Sequence, residues 1–115
     1  ESLGEYLHRK QGRSLGLVTT TDVFDSTPAA FGSHTQARSA STGIVDQYFD
    51  EREAKGLTVL LGGGRKWFLP NTTPGSGRTP ATDGVAQSDV TSAWGVPSGA
   101  VDPGRDLLGE FIAAP

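Results

Sequence analysis

The sequence predicts an α/β fold: a partial three-layer α/β/α sandwich with parallel strands, plus a long Gly/Pro-rich loop. Helical and strand patterns alternate with short connections over residues 1–70, which is typical of a parallel sheet covered by helices. Over residues 71–104 the pattern gives way to Gly, Pro, Ser, Thr and Asp, which predicts a loop excursion. Residues 105–115 return to a helical pattern, so we treat 1–115 as a single piece of one domain.

The first two predicted elements are a helix and a strand. Glu1–Gln11 has apolar residues on one side, and Gly12 ends it after a basic last turn that suits the helix dipole. Residues 15–21 are short, β-branched and apolar without clean alternation, as in a strand covered on both faces. Between this strand and the next helix, Pro28 is placed to open a short helix capped by Thr27.

The later elements repeat the alternation. Residues 42–55 form the clearest helix, with an apolar stripe through Ile44, Val45, Tyr48 and Phe49 and charges such as Asp46 on the exposed side. Residues 57–61 form a second strand with a buried composition, ended by the triplet of residues 62–64. Residues 105–114 form a final amphipathic helix.

Composition restricts the class of protein. Only 35% of the 115 residues are hydrophobic, while 16 Gly and 7 Pro favour a loop-rich piece over a compact domain. The net charge of −3, with Lys and Arg unclustered, argues against a nucleic-acid partner, and no apolar run is long enough to span a membrane. With no cysteine, disulfides and thiolate sites are excluded. Lacking Met and opening on Glu1 inside a helix, the chain is expected to be an internal fragment or a processed product.

Candidate chemistry lies where the two strands end, because ligands of parallel sheets bind beyond the carboxyl ends of strands. After the first strand, Asp25 and Thr27 beside the rigid Pro28 offer a carboxylate and a hydroxyl, a plausible partial set for Mg²⁺. On spacing alone, a hydrogen-bonded turn before a capped helix is the commoner explanation. Arg38 has the planar fork that suits a phosphate group, although a lone loop arginine is usually a solvated charge.

Two further features favour structural roles. A single histidine such as His34 is weak evidence for a metal site, so we expect it to be structural. The glycines of residues 62–64 lack the spacing of a Walker loop or a dinucleotide fingerprint, which disfavours a nucleotide-binding domain. Tight turning or close backbone packing is the better explanation for them.

Three motifs in one order resemble a single family, the alkaline phosphatases. They are Val18-Thr19-Thr20-Thr21 through Asp25-Ser26-Thr27-Pro28-Ala29-Ala30-Phe31, His34 and Arg38; Leu60-Leu61-Gly62-Gly63-Gly64-Arg65-Lys66-Trp67-Phe68; and Gly104-Arg105-Asp106-Leu107-Leu108. Together they cover about two-thirds of the chain, and residues 71–103 are matched poorly.

The resemblance implies roles at the matching positions. Thr27 falls where the family binds magnesium through a hydroxyl. Asp25 falls where some bacterial members place an aspartate that acts on magnesium through bound water. Arg38 falls on the arginine that holds the substrate phosphate. The family mechanism adds a serine nucleophile between two zinc ions and a covalent phosphoserine.

The chain departs from the family pattern in what it lacks. None of Ser2, Ser14, Ser26 and Ser33 lies where the family places its nucleophile, and two histidines do not fill two zinc sites. We therefore expect nucleophile and zinc ligands elsewhere in a longer parent, and no activity in the isolated chain. The resemblance also implies a phosphate monoester substrate, packing against the rest of its own polypeptide, a homodimer and a periplasmic or secreted location. The alternative is a non-catalytic binding or interaction module derived from the same fold.

Overall fold

A computed structural model of the protein describes residues 1–35, 37–83 and 101–114. Within these ranges the chain forms five α-helices, two strands and one 3₁₀ helix. In chain order they are α1 (Leu3–Gln11), β1 (Leu15–Asp22), α2 (Ser26–Gly32), α3 (Ser41–Asp50), α4 (Arg52–Lys55), β2 (Leu57–Gly63), the 3₁₀ helix (Arg65–Phe68) and α5 (Leu107–Ala113).

The two strands pair in parallel, as predicted. Leu15 lies opposite Leu57, Leu17 opposite Leu60 and Asp22 opposite Gly63. Parallel pairing brings the carboxyl ends of both strands to one edge, because α2, α3 and α4 carry the chain back between them. The mixed α/β class is therefore confirmed, while a three-layer sandwich stays a prediction.

The described sheet is covered on one face. Leu17 is buried, whereas its neighbour Val18 is 73% exposed and Leu61 is 59% exposed. The expectation that the first strand is covered on both faces, and that the second is buried, is therefore wrong for the described residues. The strands are apolar as predicted, but the helices in the described residues cover only one of the two faces.

The core lies between the covered sheet face and the helices. It consists of seven buried side chains: Leu17, Val23, Ala29, Ile44, Val45, Tyr48 and Leu107. Three of them come from the predicted stripe on α3, which is confirmed. The Tyr48 hydroxyl donates to the Val23 carbonyl (2.7 Å), so the one polar atom of this ring is satisfied inside the core.

Helix α1 begins and ends on local signals. Ser2 and Glu5 form a capping box: Ser2 Oγ accepts from the Glu5 amide (3.3 Å), and Glu5 Oε2 accepts from the Ser2 amide (2.6 Å). Gly12 ends the helix in the left-handed conformation, as predicted (φ 65°).

Helix α2 begins at Ser26, two residues earlier than predicted. Its N-cap is Asp25, whose carboxylate accepts from the Ser26 amide (2.8 Å), so the expectation that Thr27 caps it is wrong. A carboxylate at this position is favoured because it faces the positive end of the helix dipole. Pro28 fits inside the first turn, where its missing N–H has no helical partner to lose.

The predicted helix over 42–55 is two helices. Helix α3 ends at Asp50, Glu51 leaves helical geometry (φ −107°, ψ 9°), and α4 follows. At the break, Arg52 donates to the Phe49 carbonyl (2.7 Å), which gives that group a partner outside the helix ladder. Residues 50–55 are mostly charged and contain neither Gly nor Pro, so the sequence carried no signal for a break there.

The predicted loop over 71–104 falls partly outside the described residues, which resume at residue 101. The division into 1–70, 71–104 and 105–115 therefore stays a prediction. No helix in the described part of the chain is long and apolar enough to cross a membrane.

Candidate functional site

The site is built where β1 and β2 end. The Val23 amide donates to the Gly63 carbonyl (3.1 Å), and Trp67 Nε1 donates to Asp22 Oδ2 (3.2 Å). These bonds hold the segment after β1 against the glycine turn after β2. Asp25 and the start of α2 follow directly, so their position is set by the sheet edge.

The glycine triplet has the packing role expected of it. A Cβ at Gly62 would lie 2.7 Å from side-chain atoms of both Thr19 and Val23, and Gly64 has a positive φ of 94°. Both positions therefore favour glycine, one for close approach and one for backbone conformation.

Asp25 and Arg38, predicted to act together, lie in contact. Asp25 Oδ1 accepts from Arg38 Nη2 (3.0 Å) as well as from the Ser26 amide, and Oδ2 accepts from the Thr21 hydroxyl (3.3 Å). The arginine side chain is 76% exposed, so this ion pair contributes little to folding. Because both side chains are exposed to solvent, a ligand can reach the Asp25 carboxylate and the Arg38 guanidinium.

Thr27 lies exposed in the first turn of α2, close in sequence to these groups. It is not among the hydrogen-bonding partners of Asp25 or Arg38 in the described residues. The Thr21 hydroxyl contacts the Asp25 carboxylate, and Ser26 and Thr27 add two exposed hydroxyls in the first turn of α2; all are hard oxygen donors of the kind Mg²⁺ takes.

A cleft of about 210 Å³ opens beside Arg38. Ser26 and Ala30 of α2 line one side, and Ser33, Thr35 and Arg38 of the following segment line another. The cleft is polar where the arginine reaches it and is large enough for a small anion.

His34 has the structural role expected of it. Its Nε2 lies 2.8 and 3.0 Å from the two carboxylate oxygens of Glu5 on α1. The ring thus joins the segment before Arg38 to the first helix, and it belongs to no group of potential metal ligands among the described residues.

A buried charge cluster was missed by sequence reasoning. Arg78 makes a two-pronged ion pair with Asp46 of α3 (2.9 and 2.7 Å), and its Nη2 also donates to Asp102 (3.1 Å) and lies 3.7 Å from Asp83. Asp46, expected on the exposed side of its helix, is therefore buried. Arg78 lies in a stretch without periodicity, so no pattern indicated that it enters the core.

The three aspartates Asp46, Asp83 and Asp102 have the spacing of a metal-ligand group. Burial raises the pKa of Asp46 to about 6, although the hydrogen bonds and charge of Arg78 act in the opposite direction. Arg78 already supplies the positive charge and Nη donors at the centre. We therefore interpret the cluster as a structural ion-pair network.

Comparison with known proteins identifies the family. The family model described as alkaline phosphatase matches residues 6–113, nearly the whole chain. The chain belongs to the alkaline phosphatase family. The assignment from the three sequence motifs is thereby confirmed.

Curated alkaline phosphatases match at moderate identity. The chain is 41% identical over 63 residues to alkaline phosphatase 4 of Bacillus subtilis, covering 52% of this chain and 13% of that protein. It is 33% identical over 100 residues to the repressible alkaline phosphatase of Saccharomyces cerevisiae, covering 86% of this chain and 15% of that protein.

A relative with a narrower name matches over most of the chain. The streptomycin-6-phosphate phosphatase of Streptomyces griseus is 31% identical over 121 residues, covering 91% of this chain and 27% of that protein. The chain thus spans between about one-eighth and about one-quarter of the length of these three relatives. No solved structure matches it.

Proposed function

We propose that this chain supplies one wall of the magnesium and phosphate site of a longer, metal-dependent phosphomonoester hydrolase. Asp25 and Thr27 serve magnesium, and Arg38 binds the phosphate of the monoester substrate. The observation that carries the proposal is the contact between Asp25 and Arg38 at the carboxyl end of β1, beside an open cleft that Arg38 lines.

The donor set around Asp25 fits magnesium. A carboxylate has about four acceptor sites, so the bonds to Ser26, Thr21 and Arg38 leave capacity for a bound water. Thr27 adds an exposed hydroxyl one residue beyond the start of α2. Mg²⁺ keeps several waters and needs few protein ligands, so a partial set is sufficient on this wall. Bound there, magnesium would supply positive charge near the phosphate.

Arg38 fits the phosphate role for geometric reasons. Its ion pair with Asp25 uses Nη2 alone, and the exposed guanidinium presents the rest of its fork to the cleft. Two parallel N–H donors match two phosphate oxygens, a charge-assisted arrangement that a lysine does not reproduce.

The remaining parts of the reaction belong to the longer protein. The serine nucleophile and the zinc ligands are proposed to come from outside these 115 residues, so the isolated chain should not hydrolyse phosphate esters. The exposed apolar sheet face around Val18 and Leu61 supports a partial three-layer α/β/α sandwich completed by other parts of the same polypeptide. Following the family, we propose a homodimer in the periplasm or outside the cell.

A crossed pair of variants in the complete protein tests both roles. Arg38→Lys keeps the charge but loses the fork, so the inhibition constant of inorganic phosphate should rise at least tenfold, roughly the worth of one charge-assisted hydrogen bond. The magnesium concentration giving half-maximal activity should stay within about twofold, since Arg38 does not bind the metal. Steady-state hydrolysis of a chromogenic phosphate ester measures both quantities.

Thr27→Val should have the opposite pair of effects: it should change the magnesium dependence and leave phosphate inhibition unchanged. Losing one hydroxyl ligand should raise the half-maximal magnesium concentration about tenfold while phosphate inhibition at saturating magnesium stays nearly unchanged. Arg13→Lys and Thr72→Val, both at exposed positions, are the matched controls. Equal phosphate inhibition in wild type and Arg38→Lys would refute the arginine's role. A complete protein without any hydrolysis would favour the non-catalytic binding module.

A further inference from the structure

Gln47 is a buried amide whose two polar atoms both bind one residue of the segment that leads to Arg38. Its Oε1 accepts from the His34 amide (2.8 Å), and its Nε2 donates to the His34 carbonyl (2.8 Å). The side chain is nearly inaccessible, with 8% of its surface exposed. Because one partner is a donor and the other an acceptor, only one orientation of the amide satisfies both.

The position of Gln47 on α3 explains why an amide lies in the interior. Helical spacing places it on the same face as Ile44 and Tyr48, which both belong to the core. That face packs against the chain leaving α2. Backbone groups buried there need partners, and Gln47 satisfies two of them at once.

Further hydrogen bonds fix the segment that contains Ser33 and His34. The Ser33 hydroxyl donates to the Ala29 carbonyl (2.9 Å), which joins the segment to the end of α2. The His34 ring contacts Glu5, whose carboxylate also caps α1. His34 is thus held through its amide, its carbonyl and its ring.

His34 is followed in the chain by residues that line the cleft. The Thr35 hydroxyl accepts from the Ala37 amide (3.1 Å), and the Ala40 amide donates to the Ala37 carbonyl (3.0 Å). Arg38 lies inside this turn, and Ser33, Thr35 and Arg38 all line the cleft. The exposed arginine head has Asp25 as a side-chain partner, while its backbone lies in a turn that follows the Gln47–His34 pair.

We propose that Gln47 is a positioning residue for phosphate binding: by fixing the His34 backbone, it sets where the Arg38 guanidinium enters the cleft. The inference rests on the proposed role of Arg38. Gln47 does not touch the ligand. Arg38 follows His34 by four positions, so the loss of the two Gln47 hydrogen bonds should appear as weaker phosphate binding that depends on Arg38.

A double-mutant cycle in the complete protein tests this dependence. The four proteins are wild type, Gln47→Leu, Arg38→Ala and the double variant, and the probe is inhibition by inorganic phosphate at saturating magnesium. We expect Gln47→Leu to raise the inhibition constant about tenfold in wild type and by less than twofold in the Arg38→Ala background. Thr42→Val is the matched control, because it removes one buried hydrogen bond from the same helix, to Asp83, without contacting His34.

The outcomes separate the possible roles. If Gln47→Leu weakens phosphate binding equally in both backgrounds, or if Thr42→Val weakens it as much, the residue acts through general stability and the proposal is overturned. If Arg38→Ala weakens binding and Gln47→Leu does not, the positioning role alone fails. If Arg38→Ala has no effect, the proposed function fails and this inference fails with it.

A second variant, Gln47→Glu, is used if the leucine variant does not fold. It keeps the size of the side chain and the acceptor for the His34 amide, and the same Arg38-dependent loss of phosphate binding is expected.

Discussion

Arg78 shows how one side chain organises a polar interior. Its guanidinium binds Asp46, Asp102 and the Trp67 carbonyl, so it joins α3, the 3₁₀ helix and the chain on both sides of residues 84–100. Asp83 adds to the network by accepting from the Thr42 hydroxyl (2.8 Å) and from the Asp102 amide (2.5 Å). The chain around residue 83 and the chain around residue 102 are thereby held together.

Removing the Arg78 charge should be strongly destabilising. Arg78→Met keeps the length of the stem but leaves buried carboxylates without their cation, and breaking a buried pair in this way costs about 3–5 kcal/mol. Urea unfolding of the purified chain, followed by circular dichroism, measures the change. Arg13→Met, at an exposed position, should stay within about 0.5 kcal/mol. A loss below about 1 kcal/mol for Arg78→Met would contradict the structural interpretation.

Residue types combined with the family resemblance predicted a site at the sheet edge, but they were uninformative inside the fold. Asp25, Thr27 and Arg38 were predicted because they fall on matching family positions and because carboxylate, hydroxyl and guanidinium suit magnesium and phosphate. The structure brings Asp25 and Arg38 into contact, and the binding roles stay predictions. Gln47 and Arg78 carry no comparable signal. Both are ordinarily surface residues, and only their buried partners reveal that they lie inside.

At the scale of elements, two helices end on equivalent glycines with different surroundings. Gly12 ends α1 (φ 65°) and Gly56 ends α4 (φ 67°), each in the left-handed conformation. A Cβ at Gly12 would meet nothing within 4 Å, whereas one at Gly56 would overlap the His8 ring. The pair separates the cost of backbone conformation from the cost of a steric clash.

Gly12→Ala should cost only the left-handed penalty, about 1 kcal/mol. Gly56→Ala should cost that amount and at least about 1 kcal/mol more, because the His8 ring must move. Its Nδ1 contact with the Arg13 carbonyl (2.8 Å) would then be lost. Thermal unfolding of the two variants side by side measures the difference. Equal losses would show that the His8 ring yields without cost.

Element boundaries were predicted correctly where a short run of residues sets them. The glycine stops and the parallel strand pair were predicted, since both depend on short stretches of sequence. The break at Glu51 and the cap at Asp25 were missed. At each, a side chain supplies a hydrogen bond to the backbone that apolar periodicity does not report.

At the scale of the whole molecule, one ionic group joins α1 to α4 and to the end of α2. The Glu5 carboxylate contacts His34 and lies 3.8 Å from Lys55, whose ammonium donates to the Gly32 carbonyl (2.8 Å) and also pairs with Glu51. Burial acts to raise the pKa of Glu5. The Ser2 amide, His34 and Lys55 outweigh it, so the pKa lies below its usual value of 4.5.

This shift predicts an acid-sensitive contribution to stability. Because the folded-state pKa of Glu5 lies below the unfolded value, the ionised carboxylate stabilises the fold above about pH 4.5 and this contribution is lost as the pH falls through the folded-state pKa. Glu5→Gln should therefore lower stability at pH 7 and flatten its decline below pH 4.5. Urea unfolding from pH 3 to 7 tests this, with the exposed Glu53→Gln as control. A parallel decline in wild type and Glu5→Gln would contradict it.

The sequence by itself determined the family and the parallel α/β class, because these depend on short motifs and local periodicity. Only the tertiary structure decided which polar groups are buried and which apolar ones are exposed. Arg78 lies inside because three aspartates from distant positions surround it, and Val18 lies exposed because the described helices cover only the other sheet face. Both outcomes depend on contacts between residues far apart in the chain, which periodicity within one segment does not encode.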